Sequence, residues 1–369
     1  MKILLISNDY WNLYNFRKDL IENIINNGHK VSLLANEDEY FNKFKNFNLK
    51  SYKIKIESRK ISLINEIILF KNLYKKIKLI EPDLILTFTI KPNIYASIIS
   101  RALKIKTINN ITGLGSSFLN NFLLKKLTIL LYRNSIYYSQ KVFFQNIYDR
   151  DLFVDLNIVK KSISDIIPGS GVDTEYFKSI KNIPSEGNIF LFVGRLLRDK
   201  GIYEYLNAAK IIIKQTNQCK FYIIGKLDLN DKTSISLEEL NKYLNKEIKY
   251  FSFIKDPRKF YDNASCVILP SYREGLSKSL LEATSMSRPV ITTDVPGCKD
   301  VVRDSINGFL IKKSDVQSLV NGIKKFINTN YENKKIMGNN ARKIAENNFK
   351  TELVISKYLK IIKEIEYIL

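Results

Sequence analysis

Two glutamates, Glu274 and Glu282, stand eight positions apart in SYREGLSKSLLEA (271–283), separated by a glycine, two serines, a lysine and three leucines. A metal site calls for His, Cys or more carboxylates at this density. The apolar run SCVILPS (265–271) reads as a strand that ends at Pro270–Ser271. Glu274 and Gly275 then fall on a turn, Ser277 is the expected helix N-cap, and SKSLLEATSM continues as helix. Were the whole span helical, the two carboxylates would sit about 80° apart around the axis. One acid therefore belongs to the loop and the other to the helix. The backbone N–H groups near Ser279 and Leu280 point at the space between them, which suits a phosphate with a hydroxyl-binding carboxylate on either side.

A second constellation precedes it in FVGRLLRDKG (192–201). The strand ends at Val193, and Gly194 is expected to let the backbone turn tightly. Arg195 and Lys200 follow on the loop and the start of the next helix, the composition of a diphosphate site. Taken alone, the two cations also fit a solvated loop, and Glu282 a helix-surface acid. Two glycine-bearing turns, TGLGSSF (112–118) and PGSGVDTEYF (168–177), follow other strands; neither is a dinucleotide fingerprint or a P-loop. His29 is the only histidine, so His-based acid–base or triad chemistry is not expected. The three cysteines form no CxxC pair, and a reducing cytosol fits them.

These motifs hang on an alternating pattern. KILLIS (2–7), HKVSLLA (29–35), SYKIKI (51–56), DLILTFT (83–89), KTINNIT (106–112), KVFFQN (141–146) and DIIPGSG (165–171) read as strands, with a helix over 16–28. NIFLFVGR (188–195), KFYIIGK (220–226), IKYFSFI (248–254), SCVILPS, PVITTD (289–294) and GFLI (308–311) form a second series, with a helix over 203–215. Strand–helix alternation of this kind predicts α/β architecture with two doubly wound parallel sheets. Ligands of such sheets bind beyond the carboxyl ends of the strands. With 369 residues, two domains are expected: 1–167, 168–350, and a closing helix over 351–369 that can cross back to the first.

The formal net charge is +22. From Leu84 to Tyr148 there are eight Lys or Arg and no Asp or Glu. Lysine-rich composition on a solvated surface accounts for part of this. No nucleic-acid-binding motif accompanies the charge, which leaves an anionic membrane face as the better partner. Apolar and basic residues alternate in blocks over 118–133, as in an interfacial helix. No secretory signal is read at the first residues, and no apolar run reaches the length of a membrane span.

GVDTEYF, FVGRLLRDKG, PSYREGLSKSLLEA and RPVITTDVPGCKDVV together resemble the signature series of the retaining glycosyltransferases of family four. The resemblance implies the GT-B fold, two Rossmann-like domains facing across a cleft. It implies that Arg195 and Lys200 hold the donor's diphosphate. Glu274 would bind hydroxyls of the transferred sugar and Glu282 the nucleotide ribose. Gly194, Gly275, Leu276, Ser279 and Leu280 would line the donor, and the strand at 251–254, with Ile254, would contact the base. No metal or other cofactor is expected, because cations and a helix N-terminus take that role.

The N-terminal half narrows the branch. DYWNLYNFRKDLIENIINNGHKVSLLA (9–35), FTIKPNIYAS (88–97) and INNITGLGSSF (108–118) are similar to bacterial enzymes that extend lipid-linked sugars. Among these are N-acetylgalactosaminyltransferases acting on diphospho-undecaprenol-linked bacillosamine. This implies a UDP-sugar donor, a polyprenyl-diphosphate-linked acceptor, and a place in the bacterial cytoplasm on the inner face of the membrane. Phe16, Arg17, Lys91, Thr112, Gly113 and Gly115 are the acceptor-side candidates. The chain departs from many relatives in three ways: no glycine pair in Asn8–Asn15, no N-domain histidine near the sugar, and Ser252 and Ser277 in place of a usual glycine and proline. Lys91 or Thr112 are the stand-ins for that histidine. A soluble acceptor on the same fold, or a sugar-nucleotide epimerase, are the competing readings; the lone remote histidine argues against the latter.

Overall fold

A computed structural model describes residues 1–57, 62–114, 122–216, 218–228 and 231–368. The chain divides into two compact units, Met1–Ser170 with Glu352–Leu369, and Gly171–Thr351.

The first unit runs β1 (Lys2–Asp9), α1 (Tyr10–Asn26), β2 (Lys30–Asn36), β3 (Leu49–Lys53), α2 (Leu63–Ile80), β4 (Leu84–Phe88), α3 (Ile90–Ala102), β5 (Lys106–Ile111), α4 (Phe122–Ile136), β6 (Lys141–Phe144), α5 (Ile147–Asp155) and β7 (Ser164–Ile166). Its seven strands are ordered β3-β2-β1-β4-β5-β6-β7, with parallel pairing throughout. The order reverses between β1 and β4, which creates the switch point where such sheets open a crevice. The strands are apolar on both faces because helices cover both. Leu5, Leu86, Phe88, Ile108 and Phe143 pack toward α1, and Leu4, Ile6 and Ile85 toward the opposite face. The helix expected from residue 16 begins at Tyr10, because the Asp9 side chain accepts the Asn12 N–H at 2.8 Å and caps it.

The second unit runs β8 (Asn188–Val193), α6 (Ile202–Gln215), β9 (Cys219–Ile224), α7 (Leu237–Asn241), β10 (Ile248–Phe251), α8 (Arg258–Asn263), β11 (Cys266–Leu269), α9 (Lys278–Ser285), β12 (Val290–Thr293), β13 (Gly308–Ile311), α10 (Val316–Asn328) and α11 (Tyr331–Asn348). Its order is β10-β9-β8-β11-β12-β13, again all parallel, with the reversal between β8 and β11. Phe190 and Phe221 stack in its core at 5.1 Å, both fully buried. Burying each such side chain contributes about 1.5–3 kcal/mol. β10 stops at Phe251, so Ile254 lies on the loop beyond it rather than on a strand.

The last helix, α12 (Thr351–Glu366), packs on the first unit's sheet: Tyr358 lies 4.7 Å from the Phe143 ring and is fully buried with Phe88. Lys357 Nζ donates to Ile166 O at 2.6 Å and pairs with Asp165 at 3.1 Å.

Candidate active site

In the second unit the loops that leave β8 and β11 run side by side, because their strands are neighbours at the switch point. Tyr272 N–H and Ser271 Oγ both donate to Asp199 O, at 2.8 and 3.0 Å. Gly201 has φ +75°, and a Cβ there would stand 2.2 Å from Pro270 O. Only glycine lets the two loops approach this closely. From behind, Thr292 Oγ1 donates to Leu269 O at 2.7 Å, Thr293 Oγ1 donates to Ser271 O, and the Glu274 N–H donates to Pro296 O at 3.1 Å. Gly297, with φ +78°, would put a Cβ 2.3 Å from Glu274 O. The segment RPVITTDVPG thus fixes the loop that carries Glu274.

Within this frame Lys200 Nζ donates to Glu274 Oε1 at 2.5 Å. Glu274 Oε2 takes no hydrogen bond among the described residues and is not shut off from solvent. Glu282, on the second turn of α9, is arranged the same way. Its Oε2 accepts the Tyr261 hydroxyl at 3.0 Å, and its Oε1 takes no hydrogen bond among the described residues. Burial pushes the Glu282 carboxyl up, partly offset by Lys278 and by the Tyr261 hydrogen bond. Each glutamate spends one oxygen on the protein and presents the other.

Between them α9 begins. Ser277 is its N-cap residue but makes no capping bond; its Oγ meets Ser279 Oγ at 3.2 Å instead. The Leu281 N–H is bonded to Ser277 O at 3.1 Å, so those of Ser279 and Leu280 precede the first intrahelical bond. The Leu280 side chain is buried in the core, which leaves only its backbone to meet a ligand, and Gly275 is buried beneath the turn. Leu276 and Ile254 pack half-buried on the same core. Arg195 is half-exposed, with Nη1 4.0 Å from Asp228 Oδ2.

The turn after β8 does not demand a glycine at Gly194. Its φ is not positive, and a Cβ there would meet only side-chain atoms at 3.7 Å or more. The tight spot is Gly225, after β9, where a Cβ would fall 1.8 Å from Gly194 O. Gly201, Gly225, Gly297 and Tyr261 are site-building residues that sequence reasoning missed. For Gly201 and Gly297 the signal was a glycine just before a helix and just after a strand.

The first unit's switch point carries Asn8 and Thr89 at the ends of β1 and β4, with Thr89 Oγ1 donating to Asn8 Oδ1 at 2.9 Å. Thr89 has φ +73°, a strained conformation for a β-branched residue. Of the acceptor-side candidates, Phe16 is half-buried with its ring 5.3 Å from Trp11, and Arg17 is buried under α1 with its guanidinium 4.5 Å from the Phe88 ring centroid. Lys91 is committed to Glu66 Oε1 at 2.5 Å on α2, and Tyr95 holds the other carboxylate oxygen at 2.7 Å. Thr112 and Gly113 follow β5, and Gly113 has φ +142°. Gly115 lies outside the described residues, as does the start of the 118–133 stretch.

The described part of that stretch, α4, exposes Lys126, Leu127, Leu130 and Arg133. α2 exposes Leu63, Ile64, Ile67 and Ile68 beside Lys71 and Lys75. Among the described residues no helix is long and apolar enough to cross a membrane, and no group of three or more His, Cys, Asp or Glu side chains could hold a metal ion.

Residues 173–344 match the family of glycosyl transferases group 1, and residues 2–146 match the glycosyl transferase 4-like family. The chain is 26% identical to the capsular polysaccharide biosynthesis glycosyltransferase CapM of Staphylococcus aureus, over 80% of this chain and 81% of the relative. It is 24% identical to the N,N'-diacetylbacillosaminyl-diphospho-undecaprenol alpha-1,3-N-acetylgalactosaminyltransferase of Campylobacter jejuni, over 98% of both. The fold matches that of Anabaena HepE, solved in complex with UDP and glucose, with a TM-score of 0.80 at 17% identity over 98% of this chain and 99% of that one. Two parallel α/β units, a β8/β11 switch point built from the family's motifs and these matches lead to one conclusion: the chain belongs to the group 1 glycosyltransferases of the GT-B fold.

Proposed function

We propose that the protein is a retaining, metal-independent transferase that moves a hexose or N-acetylhexosamine from a UDP-sugar to an undecaprenyl-diphosphate-linked sugar in surface-polysaccharide or glycan assembly. The observation that carries this reading is the paired glutamates. Glu274 Oε2 and Glu282 Oε1 are each presented from a carboxylate whose other oxygen is fixed by Lys200 or Tyr261. Two fixed acceptors flanking a helix N-terminus suit a molecule with hydroxyls at both ends and a diphosphate in the middle. Glu274 takes hydroxyls of the sugar, Glu282 those of the ribose, and the Ser279 and Leu280 N–H groups with Lys200 and Arg195 take the diphosphate. The name of the Campylobacter relative supports the choice of acceptor.

In the reaction, the acceptor oxygen bonds to the anomeric carbon as that carbon's bond to the diphosphate oxygen breaks. The acceptor's proton passes to a diphosphate oxygen on the same face, so configuration is retained. Lys200, Arg195 and the start of α9 stabilise the charge that develops on the leaving diphosphate. The exposed apolar and basic faces of α2 and α4 support peripheral docking on an anionic membrane. Each basic residue there contributes about 1 kcal/mol.

The test is a panel of UDP- and GDP-sugars with a synthetic polyprenyl-diphosphate-sugar. Transfer from one UDP-sugar, with the product's linkage retained, is the expected result. Equal transfer to a free sugar without lipid would refute the acceptor, and conversion of a donor incubated alone would point to an epimerase.

A further inference from the structure

The first unit holds a buried arginine that meets no hydrogen-bond acceptor among the described residues. Arg17 occupies the inward stripe of α1, among Leu13, Leu20, Ile21 and Ile24, and is 3% exposed. Its guanidinium lies over the Phe88 ring, and among the described residues no oxygen accepts from it. Nε and Nη1 are buried and meet no acceptor. Arg288, the other arginine buried among the described residues, is the contrast, although its Nη1 too is unbonded. Arg288 donates from Nε to Tyr261 O at 2.7 Å and from Nη2 to Ser179 Oγ and Lys181 O at 2.6 and 2.8 Å. An uncompensated buried cation costs several kcal/mol, so folds rarely keep one without a charged counterpart.

A second orphan belongs to the same cluster. Asn110, at the carboxyl end of β5, donates from Nδ2 to the Tyr358 hydroxyl at 2.8 Å, while its Oδ1 is buried and unbonded. Tyr358 connects the two. Burial raises its phenol to about 12, and the nearby Arg17 charge works against that rise. Phe88 and Asn110 end adjacent strands, one step from the β1/β4 reversal, where a doubly wound sheet receives ligands. No acid lies between Leu84 and Tyr148 to neutralise the site from within that stretch.

We propose that Arg17, with Asn110 and Tyr358, forms a receptor for a phosphoryl oxyanion in the N-terminal unit. Arg17 supplies the charge and paired donors, and Asn110 Oδ1 accepts from a hydroxyl borne by the same ligand. The oxyanion can be a free diphosphate or the diphosphate of the lipid-linked acceptor; the second source rests on the function proposed above.

Thermal melts of the full chain test this, with inorganic diphosphate and, separately, a short-chain polyprenyl diphosphate in detergent, each with and without saturating UDP and with ionic strength matched by sodium chloride. Wild type is expected to melt higher with diphosphate. Arg17→Met is expected to melt at or above wild type without ligand, because it removes a buried uncompensated charge, and to bind the anion about tenfold to a hundredfold more weakly. Arg17→Lys, which keeps the charge without the planar fork, is expected to fall between. An Arg17-dependent response to the lipid diphosphate alone supports the site and names its source. No Arg17-dependent response to either probe, with Arg17 merely solvated by a buried water, overturns it. The UDP-dependent shift in the same melts reports the donor site separately, so failure of the donor reading would show as loss of that shift and not of the Arg17 effect.

Discussion

The two units share one strand order about their switch points and answer a cation there in opposite ways. At the β8/β11 switch point, Lys200 is met by Glu274 at 2.5 Å, and the loops around them are cross-tied by Asp199, Pro270 and Pro296. At the β1/β4 switch point, Arg17 has an aromatic ring and, among the described residues, no carboxylate. The second unit therefore carries its counter-charge within the chain, and a ligand there must compete with or share an existing ion pair. The first unit leaves the counter-charge to come from outside. The same sheet order gives one site that is electrostatically complete and one that is not, so topology locates a crevice without fixing what charge it takes.

The comparison is broken most severely at Glu274. Glu274→Ala is expected to lower kcat by about 100-fold or more while UDP affinity changes little, because the lost contact is to the sugar and its charge development. Near wild-type turnover with a full donor panel would remove Glu274 from the site. Next comes the frame. Gly297→Ala forces a Cβ onto Glu274 O in a left-handed backbone and is expected to destabilise the second unit by about 3 kcal/mol. An unchanged melting temperature would show that the loop can move aside. Arg195→Ala is expected to weaken UDP and UDP-sugar together by about tenfold, the worth of one charged contact. If calorimetry finds a loss for the sugar nucleotide only, Arg195 is not on the diphosphate.

The smallest effect is a pH dependence. Burial raises the Glu282 carboxyl above its ordinary 4.5, so the folded state holds that proton more tightly than the unfolded chain does. Stability from this group is thus present below pH 4.5 and is lost as pH rises through the folded value. Glu282→Gln removes the loss. The melting temperature of the glutamine variant minus that of wild type is expected to grow from pH 4 to pH 7, and a flat difference would contradict the burial.

The strands were legible because parallel strands covered on both faces are continuous apolar runs, as in LLIS and VIL. The ends were not. Asp9 fell between the expected strand over 2–7 and helix over 16–28, although an acid two residues after a strand is a cap signal, and α1 starts there. Phe251 ends β10 although SFI continues the apolar pattern, since Ser252 and Phe253 face solvent. The Glu274 and Glu282 placements on loop and helix followed from local spacing. Tyr261 did not, because its bond to Glu282 spans 21 residues and depends on how α8 meets α9. Arg17 was readable in part: it falls on the stripe 13, 17, 20, 24, where a helix facing a sheet carries apolar side chains.

The return of α12 to the first sheet has a consequence for synthesis. Tyr358, Ile362 and Ile365 are core residues of the unit whose strands leave the ribosome first. The second unit, Gly171–Thr351, is contiguous and has all its core in hand before α12 is made. The half translated first is therefore completed last, and until then its Phe88 and Phe143 surface is uncovered on that side. That waiting interval is when the nascent chain is most exposed to chaperones and to aggregation.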